Sequence, residues 1–158
     1  AIKIANEHEM VARQRQFGWD LLLNEHRVVR RGADSIVIAG TENDGRPPFP
    51  SRADLSKALK GVGKGTFVVL LQHDPSAWER NILPHSHAQL TLSGHTHGGQ
   101  VSLFGLRPTI ISYKQDKGLY TQGQRSLFVS SGLGGVVPFR FGVPPEVVVI
   151  TLRRGNVQ

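Results

Sequence analysis

Three histidines stand where chemistry can be done. His73 lies two residues beyond the unbroken apolar run 66–71 (TFVVLL) and directly before Asp74-Pro75. His95 and His97 occupy the turn Gly94-His95-Thr96-His97-Gly98-Gly99, which follows the run 88–93 (AQLTLS). In open α/β sheets, ligands gather just beyond the carboxyl ends of strands. Two strand ends that deliver three imidazoles to one rim therefore read as a divalent-metal site, and imidazole suits Zn, Mn, Fe, Co or Ni. Side chains at i and i+2 of an extended segment share a side. The glycines around His-Thr-His allow a turn in which they diverge, so the pair serves two ions as readily as one. His85 and His87 repeat the spacing but follow Pro84 in a polar loop; His8 falls on the first expected helix and His26 just after it. These four read as surface or boundary residues.

The elements that position the three histidines follow from the pattern around them. The run at 66–71 is apolar throughout, which suits a strand buried on both faces. Asp74 is a good N-cap and Pro75 a good first helical residue, so a helix is expected over 75–83, stopped by Pro84. Residues 88–93 form the next strand. Upstream, 1–24 carries an approximate helical stripe, 34–39 (DSIVIA) reads as a strand, and 41–50 as a loop. Ser51 is the expected N-cap of a short helix to Leu59, with Asp54 in the capping-box position. Downstream, strands are expected at 99–104, 109–113, 119–120, 126–129 and 147–152. Strand–helix alternation giving way to strands predicts an α/β domain with a partly antiparallel C-terminal half.

Composition bounds the alternatives. The 158 residues fit a single domain, 1–158. The complete absence of cysteine excludes disulfide scaffolds, Cys-based zinc fingers, iron–sulfur ligation and thiol catalysis. No apolar run approaches the ~20 residues that cross a bilayer, and the start at Ala1 shows no signal-peptide pattern. The net charge of +7 suits an anionic or phosphorylated partner. The basic residues are dispersed, with doublets only at Arg30-Arg31 and Arg153-Arg154, and read as solvated faces. Without an aromatic RNA-binding stretch or a finger, nucleic acid is the disfavoured partner.

The segments LLQHDP (70–75) and LTLSGHTHGGQ (90–100) resemble the calcineurin-like metallophosphoesterases, most closely the bacterial branch whose signature reads SHDP…LSGHTHGGQ. The resemblance extends from about Trp19 to Arg154 and includes 21–43 and the closing run 145–154. It implies an α/β fold built as a β-sandwich flanked by helices (four layers, αββα), with a two-metal centre on the strand rims. It further implies that His73 and His95 ligate one ion and His97 the other, with Gly98, Gly99 and Gln100 beside the substrate. The implied activity is hydrolysis of phosphomonoesters, phosphodiesters or pyrophosphates, on a phosphorylated small-molecule or lipid substrate, with two divalent ions (Mn, Fe, Zn, Co or Ni).

The family pattern also requires an Asp-x-His, a Gly-Asp with a bridging carboxylate, and a Gly-Asn-His that supplies an Asn ligand and a general-acid His. No Asp-x-His and no Gly-Asp occurs in this sequence, and Ala5-Asn6-Glu7-His8 only approximates the third. The expectation is that the chain is the C-terminal half of the domain, lacking its N-terminal strands, with the general-acid His upstream of Ala1. Such a chain binds at most one ion, weakly, and turns over little, because three neutral imidazoles cannot compensate two dications. It self-associates through exposed sheet edges, and its parent is cytoplasmic or membrane-anchored through an N-terminal segment. Two other readings are a binding module that kept the fold without catalysis and a nucleic-acid-directed phosphodiesterase, whose binding would fall steeply with salt.

Overall fold

Four apolar runs line up as the parallel centre of one sheet. β2 (Asp34–Gly40), β3 (Val68–Leu71), β4 (Leu90–Ser93) and β6 (Arg125–Val129) pair side by side in the same direction. β1 (Glu25–Arg31) and β5 (Gly118–Gln122) close the two edges antiparallel, giving the order β1-β2-β3-β4-β6-β5. These positions come from a computed structural model that describes residues 7–155. The register sets Gly40 opposite Leu71 and Leu71 opposite Leu92, so β2, β3 and β4 end together. Thr41, His73 and His95 consequently follow a single rim.

One face of the sheet is fully packed. Val37, Ala39, Val68, Leu70, Leu127 and Val129 form a buried core with Leu55, Ala77, Trp78 and Ile82 from the connections. α2 (Leu55–Ala58) is capped by Asp54, whose Oδ1 accepts from the Lys57 amide at 2.8 Å. Ser51, the expected cap, instead donates its hydroxyl to Asp44 Oδ1. After β3, Asp74 Oδ1 accepts from the Ser76 amide at 2.8 Å and starts a turn that widens into a π-helical stretch, Trp78–Ile82, and runs on as α3 (Leu83–His85). The helical path therefore passes Pro84 instead of stopping before it. Pro84 occupies the first turn of α3, where a missing N–H costs little. The Arg125 guanidinium donates to the carbonyls of Ile82, Leu83 and Ala88.

The opposite face is also apolar but less covered. Ile38, Val69 and Leu90 form one cross-strand row, and Leu71, Leu92, Phe128 and Leu119 another. Leu71 is 40% exposed and Leu119 63%. The α/β class is observed, as a single mixed sheet; the second sheet of the expected sandwich is not found among the described residues.

Several expected elements differ. The first helix, α1, covers Glu7–Gln16 and not the whole of 1–24, of which 1–6 lie outside the described residues. It ends in a Schellman motif: Gly18 takes φ 81°, its amide donates to Arg15 and the Trp19 amide to Gln14. The charged edge strand β1 was not expected, because EHRVVRR lacks the alternation of a half-buried strand. It forms through the two-residue Gly32-Ala33 turn onto β2, with Arg31 opposite Asp34 and Gly32 at φ 60°. The expected strand at 109–113 is a 3₁₀ turn, Pro108–Ile111, opened by Pro108. Residues 99–104 make only isolated bridges, Val101 to Phe141 and Gly142, and Leu103 to Leu106. The run 147–152 is not assigned to the sheet; Val148, Ile150 and Leu152 are less exposed than Val147 and Val149, and Arg154 reaches Asp34 at 3.5 Å. No helix among the described residues is long and apolar enough to cross a membrane.

Candidate metal centre

The β3–β4 ladder continues past the strand ends. The Gln72 amide donates to the Leu92 carbonyl and the Gly94 amide to the His73 carbonyl, so His73 and His95 leave the sheet side by side. Their rings stand edge to face, centroids 5.0 Å apart at 83°, with His95 Nδ1 3.2 Å from His73 Nε2. Two nitrogens each about 2.1 Å from a shared ion also lie roughly 3 Å apart. This pair therefore fits one divalent ion. A cleft of about 350 Å³ opens beside it, lined by Thr41, Gln72, His73, Ser93 and Gly94 among others.

The turn that carries His95 and His97 is strained. His95 at φ 70°, His97 at 52° and Gln100 at 58° all adopt the left-handed region, interspersed with Gly98 at 60° and Gly99 at 72°. Non-glycine residues hold such angles only where surroundings enforce them, at a cost of order 1–3 kcal/mol each. The enforcement comes from Thr96, whose hydroxyl donates to the Asp116 carbonyl and accepts from the Gly98 amide. Asp116 is itself fixed by two bonds from the Arg107 guanidinium, 2.6 and 2.9 Å, and one from Thr109 at 3.0 Å. Burial alone would raise the Asp116 carboxyl pKa; the hydrogen bonds from Arg107 and Thr109 and the Arg107 charge outweigh it, and the net shift is downward.

Electrostatics favour neutral imidazole at His73. Desolvation of the ring lowers its pKa, the His95 imidazole lowers it further, the nearby Asp74 carboxylate opposes this, and His97 adds to the lowering. The Tyr113 phenol is shifted up, by burial first and by Asp74 second, and remains protonated. Asp74 is fully buried, and its Oδ2 has no hydrogen-bond partner.

Of the expected site residues, the structure joins His73 and His95 and leaves His97 apart. Among the described residues no three His, Cys, Asp or Glu side chains form a metal cluster. The His97 carbonyl accepts from Arg140, and its ring acts on His73 only as a neighbouring charge. Gly98 and Gly99 are packed: a Cβ on Gly98 would stand 2.9 Å from Val143 Cγ1, and one on Gly99 3.1 Å from Thr109 Oγ1. Gln100 is 4% exposed; its amide nitrogen donates to the carbonyls of Val137 and Phe139, and its oxygen accepts from the amides of Val136 and Val137. That side chain clasps the 133–139 loop and leaves only backbone for a ligand. His26 Nδ1 bonds the Ala58 carbonyl and His85 Nδ1 bonds Asn81, away from the rim.

Two partners of His95 escaped the sequence reading. Tyr113 Oη lies 2.7 Å from His95 Nε2, and Phe49 packs against the ring edge to face at 5.5 Å. Both come from loops distant in sequence, and no local spacing points to either.

Relatives among curated proteins are informative. An uncharacterized metallophosphoesterase of Aquifex aeolicus is 34% identical over 126 residues, covering 77% of this chain and 47% of that protein. The uncharacterized metallophosphoesterase YkuE of Bacillus subtilis is 35% identical over 108 residues, 65% of this chain and 37% of its own length. A Danio rerio protein named transmembrane protein with metallophosphoesterase domain is 32% identical over 148 residues, 87% of this chain and 33% of its own. The chain thus spans less than half the length of each of these three. No family model and no solved structure matches it.

Proposed function

The chain belongs to the metallophosphoesterases, and from that premise we propose that it supplies the histidine half of a divalent-metal centre that hydrolyses phosphate esters in the whole protein. The 3.2 Å approach of His95 Nδ1 to His73 Nε2 at the ends of adjacent parallel strands carries the reading. A divalent cation bound there would polarise a phosphoryl oxygen and offset the charge that develops during in-line displacement.

The chain's own residues do the holding. His73 Nε2 and His95 Nδ1 stand close enough to reach one ion. His97, two residues further along the same turn in left-handed backbone, is assigned by this reading to a second ion. Phosphate esters as a class, of a small molecule or of a lipid, are the substrates this reading assigns. The name of the Danio rerio relative supports a membrane setting for the whole protein.

Neutral imidazoles compensate no charge, and no carboxylate joins the pair among the described residues. Carboxylate donors from outside this set are needed to hold two dications. This chain by itself is therefore expected to take up at most one ion, weakly, and to turn over little. Metal analysis, combined with p-nitrophenyl phosphate and bis-p-nitrophenyl phosphate assays with and without Mn²⁺, tests this. One weakly held ion without turnover supports the reading, and no ion at all overturns it. Two ions with robust turnover would refute the account of a half-site.

A further inference from the structure

A neutral imidazole carries one ring proton, so whatever engages one nitrogen decides what the other can do. His95 has its two nitrogens in different surroundings: Nδ1 faces His73, while Nε2 lies 2.7 Å from Tyr113 Oη. The Tyr113 ring also packs against the imidazole, centroids 5.3 Å apart at 69°, and Phe49 closes another edge. Tyr113 is held in turn. It sits in the 107–116 loop, whose ends are drawn together by the Arg107–Asp116 ion pair and whose 3₁₀ turn receives the Tyr113 amide at the Thr109 carbonyl, 2.8 Å. The Asp116 carbonyl also accepts from the Thr96 hydroxyl, so one loop grips the His-Thr-His turn at both its threonine side chain and its first imidazole.

We propose that Tyr113 is the positioning residue of His95: by accepting a hydrogen bond from Nε2–H, its phenolic oxygen keeps the ring proton there and leaves Nδ1 with a lone pair for the ion shared with His73. Ligating histidines commonly donate their second ring N–H to a carboxylate, a carbonyl or water, the place Tyr113 Oη takes here, and losing such a partner costs about 10–100-fold in metal affinity. The inference rests on the reading of His73 and His95 as a metal pair and adds a residue that touches neither ion nor substrate.

Two measurements on the full chain and on Tyr113→Phe test it: a Co²⁺ titration followed by visible absorption, and the imidazole ¹⁵N spectrum of the metal-free protein. The expected result is about a tenfold or greater rise in the Co²⁺ dissociation constant, with unchanged far-UV circular dichroism, and a single His95 tautomer that becomes a mixture in the variant. An unchanged dissociation constant overturns the proposal, as does an unchanged tautomer. A mixed His95 tautomer in the unsubstituted chain overturns it without any variant. Failure of the unsubstituted chain to take up Co²⁺ overturns the metal-pair reading itself, whereas the metal-free spectra still judge the Tyr113–His95 bond on their own.

Discussion

His73 and His95 follow different strands, yet their ring nitrogens stand 3.2 Å apart. A residue-level separation of roles follows. His73→Ala should abolish measurable Co²⁺ binding, whereas His85→Ala, whose imidazole bonds Asn81 away from the rim, should leave it unchanged. Isothermal titration of the two variants checks this, and equal affinities would mean that the ion sits elsewhere. Asp116 supplies a second test. Its folded pKa is depressed relative to the unfolded chain, so its contribution to stability is full above the ordinary carboxylate range and is lost as pH falls through the folded value. Urea midpoints measured from pH 6 downward should therefore drop more steeply in the parent chain than in Asp116→Asn, which lacks that titration. Parallel acid limbs would remove Asp116 from the account.

At the level of elements, the parallel centre was legible because its runs are apolar and bounded by Gly, Pro and Asp. The 66–71 and 88–93 runs contain β3 and β4, and His73 and His95 stand together just beyond their ends. What escaped was conformation set by distant partners. The edge strand β1 exists because the Gly32 turn folds it onto β2; Pro84 was read as a stop because a widened π turn leaves no trace in residue spacing. Tyr113 was placed in a strand, since nothing local announces that Arg107 and Asp116 close its loop. Gly98 and Gly99 of the His-Thr-His turn leave no room for side chains. Gly98→Ala places a Cβ 2.9 Å from Val143 at φ 60°. It should destabilise the chain by about 1–3 kcal/mol, read from denaturant melts. A neutral result would indicate that the turn relaxes freely.

Across the whole molecule, a buried face is matched by an apolar one that water reaches. Leu71 and Leu119 on the sheet, and Phe104, Ile111 and Leu133 on the loops, are all exposed. Contiguous apolar patches above about a few hundred Å² are rare on monomeric proteins. Sedimentation velocity should show the weight-average mass of this chain rising with concentration. A mass that stays at one copy across the series would show that these surfaces tolerate solvent. The pairing of His73 with His95 has a further consequence at this scale. They stand 22 residues apart in sequence, so an ion held by both acts as a removable cross-link that ties the end of β3 to the end of β4. Because only the folded chain presents the pair, saturation at 100 times the dissociation constant would add about 2.7 kcal/mol to the free energy of unfolding. Chelation should then lower the melting temperature reversibly, making thermal resistance itself a gauge of occupancy.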